Sequence, residues 1–246
     1  MNEIELSWGA SLRLPLIEKQ LRTLRPTHIL EVGCGEARIS QKIAKFAQVY
    51  TACEPDLFSY NTALLHNTGN IRLVNGTIEA IPNDHKFDVI FSTEVLEHID
   101  DDFKEIQSWN RLLSLNGYVL LTVPVHPRLF GPADRRVGHR RRYTRGTLIE
   151  LFNSCGFEVE EVFIFGGFPS FLINLAQNLT ATLDSVDSTD GAYESGRWHQ
   201  PNIEKSRSMQ NLGRWAKRLL FWLSLFPKEI GVSALLRARK ISTVAD

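Results

Sequence analysis

Ile29-Leu30-Glu31-Val32-Gly33-Cys34-Gly35-Glu36-Ala37-Arg38 leads, through an amphipathic stretch, into Val49-Tyr50-Thr51-Ala52-Cys53-Glu54-Pro55-Asp56. An apolar strand runs into a Gly-x-Gly turn, a helix follows, and a second apolar strand ends in an acid. This order builds a nucleoside-binding crevice at the carboxyl end of a parallel sheet. Glycine suits the turn because a side chain there would hold a ligand off the backbone. Glu54 stands roughly twenty residues past the turn, where an acid can accept both ribose hydroxyls. A dinucleotide fingerprint would place a third glycine where Arg38 stands, which disfavours a nicotinamide cofactor.

Outward from this unit, strands and helices alternate. Apolar residues at helical spacing predict a helix over 11–24, with Pro15 near its start and Pro26 ending it. Strands are expected over 27–32, 49–53, 71–74, 118–123 and 158–165, with a fourth strand beginning at Phe87. Ile39, Ile43, Ala44 and Ala47 mark the inner face of the helix after the glycine turn. Asn116-Gly117 signals a turn, and Thr147 with Glu150 resembles a capping box. Asp88 is read as pinning the start of its strand. The alternation implies a parallel sheet covered on both faces.

Further motifs carry a family resemblance. Glu31-Val-Gly-Cys-Gly, Glu54-Pro-Asp, Gly76-Thr-Ile-Glu-Ala-Ile-Pro, Phe87-Asp-Val-Ile, Val95-Leu-Glu-His and Leu112-Leu-x-x-x-Gly-Tyr-Val-Leu-Leu-Thr-Val-Pro occur in that order. Over 27–165 the chain resembles the class I S-adenosylmethionine-dependent methyltransferases of the type that modifies small molecules, glycans or peptides. The resemblance implies an α/β, Rossmann-like sheet of seven mostly parallel strands with helices on both faces. The last strand, with 232–240 as candidate, would be antiparallel beside the sixth. The core would comprise 1–165 plus 230–246, and 166–229 would be a helical lid insertion with a polar stretch at 184–207.

The implied cofactor is S-adenosylmethionine, leaving as S-adenosylhomocysteine, with no metal. Gly33 and Gly35, with the small Cys34 between them, would let the backbone approach the methionine part. Glu31 would sit near its ammonium, Glu54 and Pro55 at the ribose, and Thr77 and Ile78 at the adenine edge. Glu94 would line the methionine side through its backbone. Thr77 departs from the family, which often has Asp there; a hydroxyl can still accept the adenine amino group.

The segment from Val125 to Arg145 holds seven arginines, two histidines and one acid. It follows the fifth strand, where loops face the ligand crevice. Arg128, Arg141 and Tyr143 are candidate substrate-binding residues, and His126, His139 and Arg142 candidate catalytic ones. Guanidinium forks match carboxylates, so the first expectation is O-methylation of an anionic acceptor, a small acid or a peptide C-terminus. The alternative is a hydroxyl of a sugar or natural-product scaffold, deprotonated by His126 or His139. Arg135, Arg136, Arg140 and Arg145 are read as a solvated or locally paired face. For Arg142 the structural alternative is a brace to Asp134.

Composition narrows the competing classes. Lys plus Arg equals Asp plus Glu at 28 each, so no global basic field attracts nucleic acid. Ser92-Thr93-Glu94-Val95 stands where amino-directed nucleic-acid enzymes of the superfamily carry Pro-Pro-Tyr. A cofactor-binding protein without catalysis stays open. Cys34, Cys53 and Cys155 read as free thiols, no His/Cys/Asp cluster has ligand spacing, and no signal peptide or membrane span is expected. The expected address is cytoplasmic. The aromatic segment 215–226 is read as a lid helix rather than a membrane-surface one.

Overall fold

The computed structural model describes residues 6–67, 69, 71–184 and 231–243. Strands β1 (His28–Val32), β2 (Val49–Glu54), β3 (Arg72–Asn75), β4 (Phe87–Thr93), β5 (Leu113–Pro124), β6 (Phe157–Phe165) and β7 (Ser233–Lys240) form one sheet. Their order is β3-β2-β1-β4-β5-β7-β6. The first five strands pair in parallel, and β7 lies antiparallel between β5 and β6. The order reverses between β1 and β4, which is where an open α/β sheet opens its ligand crevice.

Period-two alternation in the strands sends neighbouring side chains to opposite faces. Ile29, Val89, Phe91 and Leu120 share a core with Leu12, Ile17 and Leu21 of helix α1 (Trp8–Leu24). Leu30, Ile90, Val119 and Leu121 share the other core with Trp109, Leu148 and Phe152. Asp88 pins the sheet's entry as expected, its Oδ2 accepting from the Thr27 and His28 amides at 2.8 and 2.9 Å.

Several boundaries differ from the sequence expectations. Helix α1 starts earlier, because Ser7 caps it by accepting from the Ala10 amide at 3.2 Å. Pro15 therefore sits in mid-helix, and the buried Leu12, Ile17 and Leu21 hold the helix across the missing donor. The helix after the glycine turn shrinks to α2 (Ser40–Ile43) and a 3₁₀ turn, Ala44–Phe46. Helix α3 (Leu57–His66) follows β2, and α4 (Asp102–Leu112) precedes β5. Asn116-Gly117 is an irregularity inside β5 rather than a turn before it. Asn116 is left-handed at φ 63°, and a Cβ on Gly117 would meet the Ser114 carbonyl oxygen at 2.9 Å.

Past β5 come α5 (Pro132–Arg136) and α6 (Arg145–Ser154). The capping box of α6 lies at Thr144 and Thr147, three residues before the expected pair, since Thr144 has the extended backbone a cap needs. Helix α7 (Gly167–Asp184) opens the insertion. Asn178 docks it on α5: its Oδ1 accepts from the Ala133 amide at 3.0 Å. A Cβ on Gly131 would fall only 2.1 Å from that same oxygen. The expectations for the rest of the insertion, the polar stretch after Asp184 and the aromatic helix at 215–226, lie outside the described residues. Among the described residues no helix is long and apolar enough to cross a membrane. The three cysteines are free.

Candidate active site

The glycine turn sits at the carboxyl ends of β1 and β2. Gly33 and Cys34 both donate to the Cys53 carbonyl, at 2.9 and 3.2 Å, closing the turn on β2. The two glycines are needed for different reasons. Gly33 has φ +74°, and a Cβ there would lie 2.4 Å from Val95 Cγ2 in the loop after β4. Gly35 has φ +55°, and its Cβ would meet nothing within 4 Å, so its bare face is open. Glu54 closes the turn from β2. Its Oε2 accepts from the Gly35 amide at 2.8 Å and its Oε1 from the Asp56 amide at 2.9 Å. Pro55 and Thr77 are exposed beside it, whereas the Ile78 side chain is buried in the core.

Glu31 is held by donors from within the fold. It is buried, and its Oε2 accepts from Ser40 Oγ at 2.5 Å and from Tyr50 Oη at 2.8 Å. Burial, only partly offset by those two hydrogen bonds, pushes its pKa up to about 7. Burial likewise pushes the Cys34 thiol far up, which leaves it a neutral filler of the turn.

The loop after β4 forms the next wall. Glu94 takes a left-handed backbone at φ 55°, its amide donates to the Thr122 carbonyl at 2.9 Å, and its carboxylate lies 3.5 Å from Arg13 Nη1. Leu96–His98 is a 3₁₀ turn that buries Glu97 completely. Burial, then the Glu94 charge, raises the Glu97 carboxyl well above its ordinary range. Burial and the neighbouring His139 lower His98 to about 4. The rings of His98 and His139 meet edge to face, 4.8 Å between centroids.

Asp134, in α5, organises the loop after β5. It is buried, and it accepts from His139 Nδ1 at 2.8 Å, Arg142 Nε at 2.8 Å, Arg142 Nη2 at 3.0 Å and the Gly131 amide at 2.9 Å. Burial alone would raise its pKa; the bonds from His139 and Arg142 outweigh it and hold the carboxyl below its usual range. Since ionised Asp134 takes the Nδ1 proton in hydrogen bond, His139 presents Nε2 to Glu97 Oε1, 3.6 Å away.

A family model described as a methyltransferase domain matches residues 11–162. This chain belongs to the methyltransferase-domain family. Its sheet is the class I S-adenosylmethionine-dependent methyltransferase fold. One curated relative is the ubiquinone biosynthesis O-methyltransferase of Coxiella burnetii, 32% identical over 109 residues, 43% of this chain. That match takes in 46% of the relative, so the chain spans about half the length of the curated protein it matches. The N-methyltransferase NodS of Bradyrhizobium japonicum, solved with S-adenosylhomocysteine, superposes with TM-score 0.54 at 14% identity, covering 93% of this chain and 87% of that one. The [4+2]-cyclase SpnF superposes with TM-score 0.61 at 17% identity, covering 97% and 85%. At such identities these structures share the fold alone, and the fold hosts more than one chemistry.

Within this methyltransferase domain the arginine loop does not form the expected clamp. Arg140 Nη1 lies 2.6 Å from Asp100, Arg141 Nη1 2.8 Å from Asp102, and Arg142 is bound by Asp134. Arg142 is therefore the brace. The Tyr143 hydroxyl donates to Asp102 at 2.9 Å, and the residue is buried. Arg135 lies over the Phe130 ring at 5.4 Å, and Arg128 is exposed on a 3₁₀ turn. His126 takes φ 62° directly after β5, and its Nε2 is buried without a hydrogen-bond partner among the described residues. Sequence reasoning missed Glu97 as a site residue. The run Glu94-Val-Leu-Glu97-His98 at a strand's carboxyl end, two acids and a histidine in five residues, was the available signal.

Proposed function

We propose that this chain is an S-adenosylmethionine-dependent O-methyltransferase acting on a hydroxyl of a small-molecule acceptor. The observation that carries this reading is the part-buried Asp134–His139 hydrogen bond, which turns Nε2 of His139 toward Glu97. A hydroxyl must lose its proton to become a methyl acceptor, whereas a carboxylate needs no such help. A half-buried, oriented imidazole answers that need. The pairing of Arg140, Arg141 and Arg142 with Asp100, Asp102 and Asp134 weighs against the carboxylate acceptor. The curated relative's name also points to oxygen as the methylated atom.

The glycine turn suits the cofactor, since Gly35 leaves its face open and Glu54 keeps acceptor capacity on both oxygens beyond their one bond each. Gly33, Cys34 and Gly35 would carry the methionine part along the backbone. Glu54 and Pro55 would hold the ribose, Thr77 and the Ile78 backbone the adenine edge, and the Glu94 backbone the methionine side. Bound S-adenosylmethionine supplies a sulfonium-activated methyl group. The protein's part is to align acceptor oxygen and methyl and to exclude water.

Transfer of labelled methyl to matched hydroxy, carboxy and amino versions of one aromatic scaffold tests the reading. Label confined to the hydroxy compound is the expected result. Label on the carboxy compound alone would return the acceptor to the anionic class.

A further inference from the structure

Glu97 is an anomaly. It is 0% exposed, and neither carboxylate oxygen has a hydrogen-bond partner among the described residues. A buried carboxyl without donors is costly unless something else satisfies its oxygens. Its neighbour His139 Nε2 lies 3.6 Å from Oε1, beyond hydrogen-bond distance of that oxygen. His98 completes the group. It hydrogen-bonds the Gly138 backbone, and its Nε2 is buried next to the others. One ligand atom from each of Glu97, His98 and His139 falls within 4.8 Å of the other two. The two histidines thus converge on a buried carboxyl whose oxygens have no hydrogen-bond partner among the described residues.

We infer that Glu97, His98 and His139 bind one divalent transition-metal ion of the zinc type. Two imidazoles and a carboxylate, leaving a fourth position open, are a donor set that zinc takes in catalytic sites. Imidazole nitrogen favours such ions over magnesium or calcium. Two ligands at roughly 2.1 Å from zinc and a tetrahedral angle stand about 3.4 Å apart. The Glu97–His139 separation of 3.6 Å is close to that. The surroundings are also those of a ligating histidine. Asp134 accepts from the far nitrogen of His139, which fixes its tautomer, and Arg142 keeps that carboxylate ionised. The two ligand-bearing segments are tied together, because the Arg140 amide donates to the Glu97 carbonyl at 2.9 Å.

For catalysis, this inference rests on the hydroxyl reading above. An acceptor hydroxyl at the open position ionises near neutral pH, as water does beside zinc. Its proton passes to solvent water. The oxygen's electron pair forms the new C–O bond while the C–S bond breaks onto sulfur, giving S-adenosylhomocysteine. His139 is then a ligand, and the Nε2 turned to Glu97 is what binds the ion.

The test uses the full chain without a histidine tag, stripped with chelator and titrated with zinc, with magnesium in a parallel arm. Plasma emission gives the metal-to-protein ratio, and titration with S-adenosylhomocysteine checks that each sample is folded. One zinc per chain is expected, with no comparable magnesium binding. Glu97→Gln and His98→Gln should each weaken zinc at least about tenfold while cofactor-product affinity holds. Absence of stoichiometric zinc in protein that binds S-adenosylhomocysteine overturns the inference, as does unaltered zinc affinity in both variants. Hydroxyl methylation by metal-free protein would overturn the ion's catalytic part and leave the hydroxyl reading intact. Stoichiometric zinc, lost in the variants, with no hydroxyl acceptor methylated would uphold the site and sink the hydroxyl reading.

Discussion

Replacing Arg142 with alanine should damage stability first. The guanidinium is nearly sealed from water, with 4% of its side chain exposed against 1% for Asp134. The change deletes bonds of 2.8 and 3.0 Å to Asp134 and a longer one, 3.4 Å, to the Val125 carbonyl. Breaking a buried ion pair by removing one partner costs about 3–5 kcal/mol, because the remaining charge stays buried. Asp134 keeps the His139 and Gly131 donors, which places the loss in the lower part of that range, about 3–4 kcal/mol. At roughly 2–4 °C per kcal/mol for a domain of this size, the midpoint should fall by roughly 6–16 °C. Urea denaturation followed by circular dichroism measures this directly, with the slope unchanged. A loss below about 1 kcal/mol, the worth of an exposed pair, would show that the brace is not what holds this loop.

Three further outcomes follow from the same geometry. Gly35→Ala should weaken S-adenosylhomocysteine binding at least about tenfold in calorimetry while costing about 1–2 kcal/mol of stability from its left-handed backbone, whereas Gly33→Ala should lose more stability because it also collides with Val95. Arg140→Ala should change stability by less than about 1 kcal/mol and the acceptor KM by less than about twofold, since its partner Asp100 is exposed and neither forms a clamp; a large KM rise would revive the anionic acceptor. Glu31, raised to about 7 when folded, binds its proton more tightly than in the unfolded chain, so its contribution is complete below pH of about 4.5 and is lost as pH rises to about 7. Glu31→Gln should flatten that decline by about 2.5 kcal/mol in denaturation curves taken at pH 5 and pH 8, and parallel curves for the two proteins would contradict the raised value.

The sheet was legible because each strand is a short apolar run ending in a turn signal, and the Gly-x-Gly and Glu54 mark the switch point without ambiguity. The Asp88 pin was legible because an acid at a strand's entry faces unpaired amides. The arginine loop misled because charge was counted within one segment. Its neutralising acids, Asp100 and Asp102, are some forty residues earlier, and only the pairing of β4 with β5 brings the two loops together. The partners of Glu31 were not legible either: Ser40 and Tyr50, which donate to its Oε2, come from two other elements. Glu97 and His98 are adjacent in the sequence, but nothing in its spacing ties them to His139, which is on a different loop.

The fastening of α7 to α5 bears on any attempt to redesign this protein. The Gly131 amide holds Asp134 while its bare α-carbon is pressed against Asn178 of the insertion. A grafted insertion that brought a bulkier residue to position 178, or a change of Gly131 to accommodate one, would push on the residue that orients His139. Exchanging this segment to admit a new acceptor is therefore not a modular operation: the glycine and the asparagine must travel as a pair, or the transplant will disarm the chemistry it was meant to redirect.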